Sequence, residues 1–178
     1  AIALLMVTGY FTSMPQFKFY LDVTRIKANT LSPESQKVMK KMEGDLKITT
    51  YSNMLDNTGQ LAVPPVQKRH ADRFEQYTRF KPAMKMDYVY YYKKVPDYYF
   101  ALKYPALPEK QLLDTLIELN NYSFDIFSYN DIKDQVDLSQ EDYRFVRLIE
   151  RGNGRKTFLR VFNDPQRFPF EAEITASL

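Results

Sequence analysis

The chain has 178 residues and a net charge of +3, from 25 Lys+Arg against 22 Asp+Glu, with no cysteine, no tryptophan and one histidine. A chain of this size can bury about 70% of its unfolded surface, which is enough for one hydrophobic core. The lack of cysteine excludes disulfides, thiolate metal sites and iron–sulfur clusters, and one histidine excludes a multi-histidine metal site within the chain. The small positive charge is not the signature of a nucleic-acid-binding domain.

The first fourteen residues form an uncharged, mainly apolar run, and the first charged residue is Lys18. The run is shorter than the roughly 20 residues that a membrane-spanning helix needs, and it lacks the basic start of a signal peptide. Its composition fits the end of a transmembrane helix, a buried strand or an amphipathic element. The chain also ends inside a predicted helix, at Leu178, so we expect a fragment of a larger protein.

Strands and helices alternate along the first half of the chain. Ser32, Pro33 and Glu34 give a helix start, because they combine an N-cap hydroxyl, a proline in the first turn and an acid at the positive end of the helix dipole. In chain order we predict a short strand or an interfacial segment at 17–22, a helix from 33 to about 43, a strand at 46–51, a loop at 52–65, a helix from 64 to 81 and a strand at 84–93.

The second half begins with an irregular, proline-rich and aromatic stretch at 95–108. Gly152, Asn153 and Gly154 reach positive φ at low cost, which predicts the turn of a β-hairpin. In chain order we predict a helix at 109–119, a short strand at 124–129, a helical turn near Ile132, hairpin strands at 145–150 and 156–162, and a last helix at 170–178.

This order predicts an α/β sandwich with a four-stranded mixed sheet flanked by helices, which matches the thioredoxin-like fold. We divide the chain into an N-terminal extension with its helix at 1–44 and the thioredoxin-like domain at 45–178. Thiol redox chemistry needs a reactive cysteine after the first strand, where residues 52–55 read Ser-Asn-Met-Leu. Such enzymes also carry a proline before the hairpin, where residues 142–144 read Asp-Tyr-Arg. The sequence therefore predicts the architecture without the redox chemistry.

Other candidate sites favour ordinary structural roles. His70 shares a helical face with Phe74 and Tyr77, which predicts a partly buried helix histidine. The nucleotide-binding glycine motifs and the G-x-S-x-G nucleophile elbow are absent from the sequence. An acidic stretch lacks the glycine and the late glutamate of a calcium loop, which favours solvated surface; it consists of Asp131, Asp134, Asp137, Glu141 and Asp142. We predict no catalytic residue, no cofactor and no metal ligand.

The most unusual feature is the concentration of tyrosine and phenylalanine between residues 88 and 104. These rings fit a sheet core packed on both faces, a protein interface, or a stacking surface for sugars or bases. The missing tryptophan weakens the sugar interpretation, and the low charge weakens the nucleic-acid one. The residues predicted to contact a partner are Tyr91, Tyr98, Tyr99, Phe100 and Tyr104.

Two stretches carry a resemblance to a known family. The first contains LDVT at 21–24, TLSPES at 30–35 and DLKITTY at 45–51, and the second runs from Phe145 to Ala176. They resemble regions of Bacteroidetes ABC-2-type permeases and GldG-like gliding-motility transport auxiliaries. In that family a segment of the form D-L/V-T … T-L-S-x-x-(S/T) follows a membrane helix and leads into a strand V-x-I-T-x-Y. The resemblance covers about residues 15–52 and 143–178.

The resemblance implies a non-catalytic domain on the periplasmic side of the inner membrane, anchored by an upstream transmembrane helix that ends within residues 1–14. It implies partners that include a separate ATPase subunit, which fits the lack of a nucleotide-binding motif here. The domain would act by binding a substrate or a partner. Two alternatives stay open: a thiol-less thioredoxin-fold enzyme acting near residues 52–56 and His70, and a carbohydrate-binding envelope module.

Overall fold

The computed structural model describes residues 2–13, 30–162 and 164–178. Its strands are β1 (Leu46–Asn53), β2 (Lys85–Tyr92), β3 (Ile126–Ser128), β4 (Val146–Arg151) and β5 (Lys156–Leu159). Its helices are α1 (Ile2–Ser13), α2 (Pro33–Lys41), α3 (Pro64–Thr78), α4 (Tyr99–Lys103), α5 (Glu109–Asn120), α6 (Tyr129–Ile132) and α7 (Glu171–Ser177). Short 3-10 turns lie at Gly59–Ala62 and Ser139–Glu141.

The described strands form one mixed sheet in the order β3-β2-β1-β4-β5. β2 is parallel to both β1 and β3, whereas β4 is antiparallel to β1 and β5. The predicted α/β class with helices flanking a mixed sheet is confirmed. The predicted number of four strands is wrong, because the strand signal at 124–129 yields β3, which adds to the outer side of β2 as a fifth strand.

One face of the sheet packs against helices. Ile48 and Ile149 belong to a core cluster with Phe74 of α3 and Ile174 of α7. Farther along the same face, Tyr90 packs with the leucines of α5, which are Leu112, Leu113 and Leu116. The helical face of the sheet therefore reaches from β5 to β2.

The opposite face is covered by the chain between β3 and β4. Tyr51, Tyr91, Val146 and Leu148 form a cluster there with Ile132, Val136 and Leu138. Because successive side chains of a strand point to opposite faces, the tyrosines of β2 are divided between this cluster and the helical face. The segment 129–143 thus buries Tyr91, whereas Tyr90 is buried under α5 on the helical face.

Helix α2 begins where the sequence predicts. The Ser32 side chain accepts a hydrogen bond from the Ser35 amide, and Pro33 occupies the first turn. The helix is joined to α7, since Ser35 Oγ lies 2.8 Å from Thr175 Oγ1 and the Ser32 amide donates to Glu171. The N-terminal helix of this pair is therefore packed onto the domain that follows it.

The predicted hairpin of β4 and β5 is confirmed, although β5 ends at Leu159 and not at 162. Its turn lies against the α2–β1 connection. A Cβ atom on Gly152 would lie 2.7 Å from the Gly44 Cα atom, and Gly44 itself has φ of 71°. Both positions therefore need glycine, one for close approach and one for conformation.

Residues 2–13 form the helix α1, so the strand interpretation of this run is wrong. Leu5, Met6 and Val7 are all exposed, and because they point in directions about 100° apart, the apolar surface is not confined to one face. Among the described residues, no helix combines the length and apolar character needed to cross a membrane. The strand predicted at 17–22 lies outside the described residues.

Candidate functional site

A groove of about 410 Å³ opens beside the carboxyl ends of β1 and β2. In α/β sheets, ligands typically bind outside the carboxyl ends of the parallel strands. We call it the aromatic groove; its lining comes from the loop after β1, from α4 with the residue before it, and from α5, and consists of Met54, Asp56, Asn57, Gln60, Tyr98, Tyr99, Phe100, Leu116, Leu119 and Asn120.

Large apolar side chains on the rim of the groove face solvent. Tyr99 is 70% exposed and Leu119 is 68% exposed. Leu102 follows Tyr99 by three residues on α4, so it lies on the same side of that helix, and it is exposed as well. Exposed apolar groups that are gathered in one place mark interaction sites more often than single ones do.

A buried carboxylate forms the polar side of the groove. The side chain of Asp56 is fully buried, and its Oδ1 atom accepts a hydrogen bond of 3.1 Å from Arg144 Nη1. Its Oδ2 atom accepts from the amide and the hydroxyl of Thr58. Asp56 is thus held in place by a charged partner and by its own loop, as a buried carboxylate requires.

Arg144 also binds Asp97, with both carboxylate oxygens 2.8 Å from Nη2. These hydrogen bonds hold the pKa of Asp97 below its usual range and raise that of Arg144. Asp56 follows β1, Asp97 follows β2, and Arg144 precedes β4. One guanidinium therefore connects the three segments that surround the end of the sheet.

Asn53, the last residue of β1, makes a second connection of the same kind. Its Nδ2 atom donates to the carbonyls of Lys93 at 2.7 Å and Tyr143 at 2.8 Å. Its Oδ1 atom accepts from the amides of Leu55 at 3.0 Å and Lys93 at 3.1 Å. In the sequence this residue stands out only as a departure from a redox motif, although an asparagine at the end of a buried strand is a signal for such a role.

The segment before β4 has an unusual backbone. Asp142 and Tyr143 are consecutive non-glycine residues in the left-handed region, with φ of 51° and 56°. Each costs roughly 1–2 kcal/mol relative to an ordinary conformation. The Tyr143 carbonyl is bound by Asn53 and the next residue is Arg144, so the hydrogen bonds described above hold this strained conformation beside the groove.

The five residues predicted to contact a partner lie in different environments in the structure. Tyr91 is 0% exposed, because its ring packs under the segment 129–143, with the Tyr129 ring 6.0 Å away. A side chain without exposed surface has no area to offer a partner, so the prediction for Tyr91 is corrected to a core role. Tyr98, Tyr99 and Phe100 meet in the aromatic groove, with Tyr98 8% exposed. Tyr104 packs on Phe100 at 5.0 Å and is partly exposed.

His70 lies elsewhere, in the core between α3 and the sheet, and is more buried than predicted. Arg147 Nη2 donates to His70 Nδ1 at 2.7 Å. Burial, Arg147 and Arg69 together lower the pKa of His70 to about 4. Burial also lowers the pKa of Arg147 to about 10. The inward position of Arg147 was visible in the alternation of 145–150, which places it on the same side as Phe145 and Ile149.

Two side chains at the site of the alternative thiol-less enzyme, Ser52 and His70, are engaged in other contacts. Ser52 Oγ donates to the carbonyl of Gly59 at 3.0 Å, whereas His70 binds Arg147. The structure does not bring this serine and histidine into a nucleophile–base pair.

In the predicted acidic surface stretch, the described carboxylates cap a helix, accept a hydrogen bond in a turn and form an ion pair. Asp131 caps α6, Asp137 accepts from the Ser139 amide, and Glu141 binds Arg160. In the described part of the chain, no group of three or more His, Asp or Glu residues is placed to hold a metal ion.

The chain matches no protein-family model, no curated protein and no solved structure. Support for a function therefore comes from the geometry of the aromatic groove and from the resemblance in residues 15–52 and 143–178. Of the two, only the groove identifies particular side chains.

Proposed function

We propose that the chain is a non-catalytic, extracytoplasmic binding domain of an ABC-type transport permease or of an auxiliary subunit of such a transporter. The observation that carries this proposal is the aromatic groove, where Tyr99 and Leu119 are exposed at the carboxyl ends of the parallel strands. The class of transporter comes from the resemblance to ABC-2-type permeases and GldG-like auxiliaries. The ATPase of the assembly is a separate subunit.

The features of the groove favour a protein partner. Aromatic residues are enriched in protein interfaces, and the exposed apolar surface continues beyond the groove to Leu102. Gln60 and the Oδ1 atom of Asn120 add polar groups to the lining, whereas Asn57 already binds the Asp97 carbonyl and the Tyr99 amide. A small polar substrate would leave the exposed leucines uncovered, whereas the surface of another subunit covers them. We therefore assign the groove to a subunit of the same assembly.

We also propose that the α/β domain is thioredoxin-like. The order β2-β1-β4-β5, with β1 parallel to β2 and an antiparallel hairpin, supports this assignment, and β3 is then an addition at the outer edge. In place of a reactive cysteine the end of β1 carries Ser52 and Asn53, whose side chains bind backbone groups. The fold then serves as a scaffold for the groove.

The proposed location is the periplasmic side of the inner membrane, with the domain anchored to the bilayer. The supporting observation is α1, which has no charged residue and exposes Leu5, Met6, Val7, Tyr10 and Phe11. Apolar side chains exposed around a helix are stable when lipid or protein surrounds them.

Site-specific photo-crosslinking in the membrane-bound protein tests the proposal. A photoreactive phenylalanine analogue at position 99 should form a covalent product with a subunit of the transport assembly, identified by mass spectrometry. The same analogue at Asp72, which is exposed on α3, is the matched control and should form none. Equal products at both positions, or none at 99, would contradict the proposal.

A further inference from the structure

An irregular segment, residues 164–169, lies between β5 and α7 in the chain and packs against His70. We call this segment the strap. One carboxylate holds its two ends, because Glu173 of α7 accepts hydrogen bonds from the amides of Phe162 at 3.3 Å and Phe170 at 2.9 Å. The strap is therefore a loop whose base is fastened to α7.

The middle of the strap is held to the domain by few contacts. Arg147 Nη1 donates to the Arg167 carbonyl at 2.8 Å, and among the described residues no other hydrogen bond joins the strap to a part of the chain more than ten residues away. The half-buried Phe168 ring makes a T-shaped contact with the His70 ring, with 5.0 Å between the centroids. Arg167 has φ of 58°, which is unfavourable for a residue other than glycine. The closed strap therefore holds strained backbone in place through one hydrogen bond and one ring contact.

The charged groups around His70 are positive. Arg147 of β4 donates from Nη2 to His70 Nδ1 at 2.7 Å. On α3, the guanidinium carbons of Arg69 and Arg73 lie 5.9 Å and 5.0 Å from the centroid of the Phe168 ring. Neutral His70 therefore lies among three arginines.

The other titratable groups nearby supply no compensating negative charge. Tyr88 of β2 interacts with Arg147, but burial raises the pKa of its phenol, which is therefore neutral. On the strap, Asp164 accepts a hydrogen bond from the Gln166 amide, and Glu173 accepts the two amides at the base. Neither carboxylate binds the histidine or its arginine partner. A proton on the imidazole would meet only cations, and it would remove the acceptor that Arg147 uses.

We propose that the strap is an acid-sensitive latch over the buried pair of His70 and Arg147. While His70 is neutral, it accepts from Arg147, and Phe168 lies over its ring. Protonation ends that hydrogen bond and places two cations side by side in a medium that screens them poorly, so the pair must be hydrated. Water enters where the strap lifts, because β4 is paired with a strand on each side and the strap is not. Opening exposes the pair and releases the strain at Arg167.

The direction of the pH dependence follows from the two states of the histidine. The pKa of His70 is about 4 under the closed strap, where burial and the arginines lower it, and it rises toward about 6.5 when water reaches the ring. The open state therefore binds more protons, and its population grows as the pH falls from 6.5 toward 4.

A spin label on the strap tests the proposal, since the chain has no cysteine of its own. Gln166→Cys places the label at an exposed position of the strap, and Asp72→Cys, exposed on α3, is the matched control. Electron paramagnetic resonance measures the mobile fraction of each label at pH 7 and pH 5. We expect the ratio of mobile to immobile label to rise at least fivefold at position 166 and to stay constant at position 72. The far-ultraviolet circular dichroism of the folded chain should persist at both pH values.

Nuclear magnetic resonance of the imidazole links the movement to its cause. His70 is the only histidine of the chain, so its ring gives one signal that can be titrated in the same samples. The label at position 166 should become mobile over the pH interval in which His70 takes up its proton. His70→Asn keeps an acceptor for Arg147 without the titration and should abolish the response. Phe168→Ala should make the label mobile already at pH 7.

Protonation of His70 without a gain of mobility at position 166 would overturn the proposal, and this criterion needs no substitution of the histidine. An equal gain at position 72, or an undiminished response in His70→Asn, would overturn it too. Mobility that rises only together with loss of the circular dichroism signal would mean global unfolding in place of a latch. None of these measurements involves the aromatic groove, so their outcome is independent of the function proposed above.

Discussion

Arg147 donates a hydrogen bond from Nη2 to Nδ1 of His70 across 2.7 Å in the core of the domain. A guanidinium only donates, so the histidine accepts at Nδ1 and is neutral. The other Arg147 contacts are the Arg167 carbonyl, at 2.8 Å from Nη1, and the Phe145 ring, 4.8 Å from the guanidinium carbon. No carboxylate among the described residues binds this arginine. A proton on His70 would therefore place two positive charges together.

We first predict that stability falls as the solution is acidified from about pH 6.5 to pH 4. The pKa of His70 is about 4 in the folded chain and about 6.5 when unfolded, so the unfolded state binds more protons in this window. The contribution of neutral His70 to stability is complete above pH 6.5. It is lost as the pH falls from 6.5 through the folded-state pKa of about 4. A shift of this size corresponds to about 3 kcal/mol of unfolding free energy.

Urea unfolding at several pH values measures this loss of stability. The variant His70→Asn should flatten the dependence of unfolding free energy on pH between pH 4 and 6.5. An unchanged slope in this variant would contradict the assignment of the pH dependence to His70.

Two tyrosines of the same aromatic run should respond differently to truncation. Tyr91→Ala removes a fully buried ring, and we expect it to lower the free energy of unfolding by about 3–5 kcal/mol. Tyr99→Ala removes an exposed ring, so we expect a change within about 0.5 kcal/mol together with at least tenfold weaker partner binding. Denaturant unfolding and co-purification from membranes measure the two effects. Loss of stability in Tyr99→Ala would instead assign that ring to the core.

The bridge through Arg144 gives a third prediction. Arg144→Met would leave the carboxylate of Asp56 buried without its charged partner, and we expect a loss of about 2–4 kcal/mol. Asp97→Asn removes the other, exposed carboxylate, and the loss should be much smaller because solvent screens that pair. Urea unfolding of both variants at neutral pH provides the comparison. Equal losses of unfolding free energy in the two variants would contradict the prediction that the buried Asp56 carboxylate depends more on Arg144 than the exposed Asp97 does.

Asn53→Ala should destabilise the chain by about 2–4 kcal/mol, because it leaves the buried Leu55 amide, the part-buried Lys93 amide and two carbonyls without their shared partner. Asn53→Asp should not rescue the loss, since a carboxylate would face the Lys93 and Tyr143 carbonyls. Hydrogen exchange gives a local readout, with faster exchange of the Leu55 and Lys93 amides in both variants. Unchanged exchange at these amides would contradict the role of Asn53.

Elements with local signals were predictable from the sequence. The start of α2 depends on Ser32 and Pro33, and the hairpin depends on its glycine turn, so both were found near their observed positions. By contrast, β3 owes its place to pairing with β2, and α4 forms within the proline-rich stretch 95–108, whose sequence predicts irregular structure. Both depend on contacts that no local pattern encodes.

The candidate site was predictable only in part, for a related reason. The aromatic run pointed to Tyr99 and Phe100, which line the groove, but alternation alone did not tell which face of β2 would be covered. Tyr91 is buried because the segment 129–143 folds over it, and that segment lies almost forty residues away. Arg144 and Asp56 are 88 residues apart in the chain, and the pairing of β4 with β1 brings their segments together.

The contact between α2 and α7 has a mechanical consequence. Ser35 binds Thr175, and the Ser32 amide binds Glu171, so hydrogen bonds link the segment that enters the domain to its final helix. A tension applied between residues 30 and 178 is carried in part by this contact between the two helices. Arg151 of β4 also binds the Ser177 carbonyl, so the load on α7 reaches the sheet at the end opposite the aromatic groove.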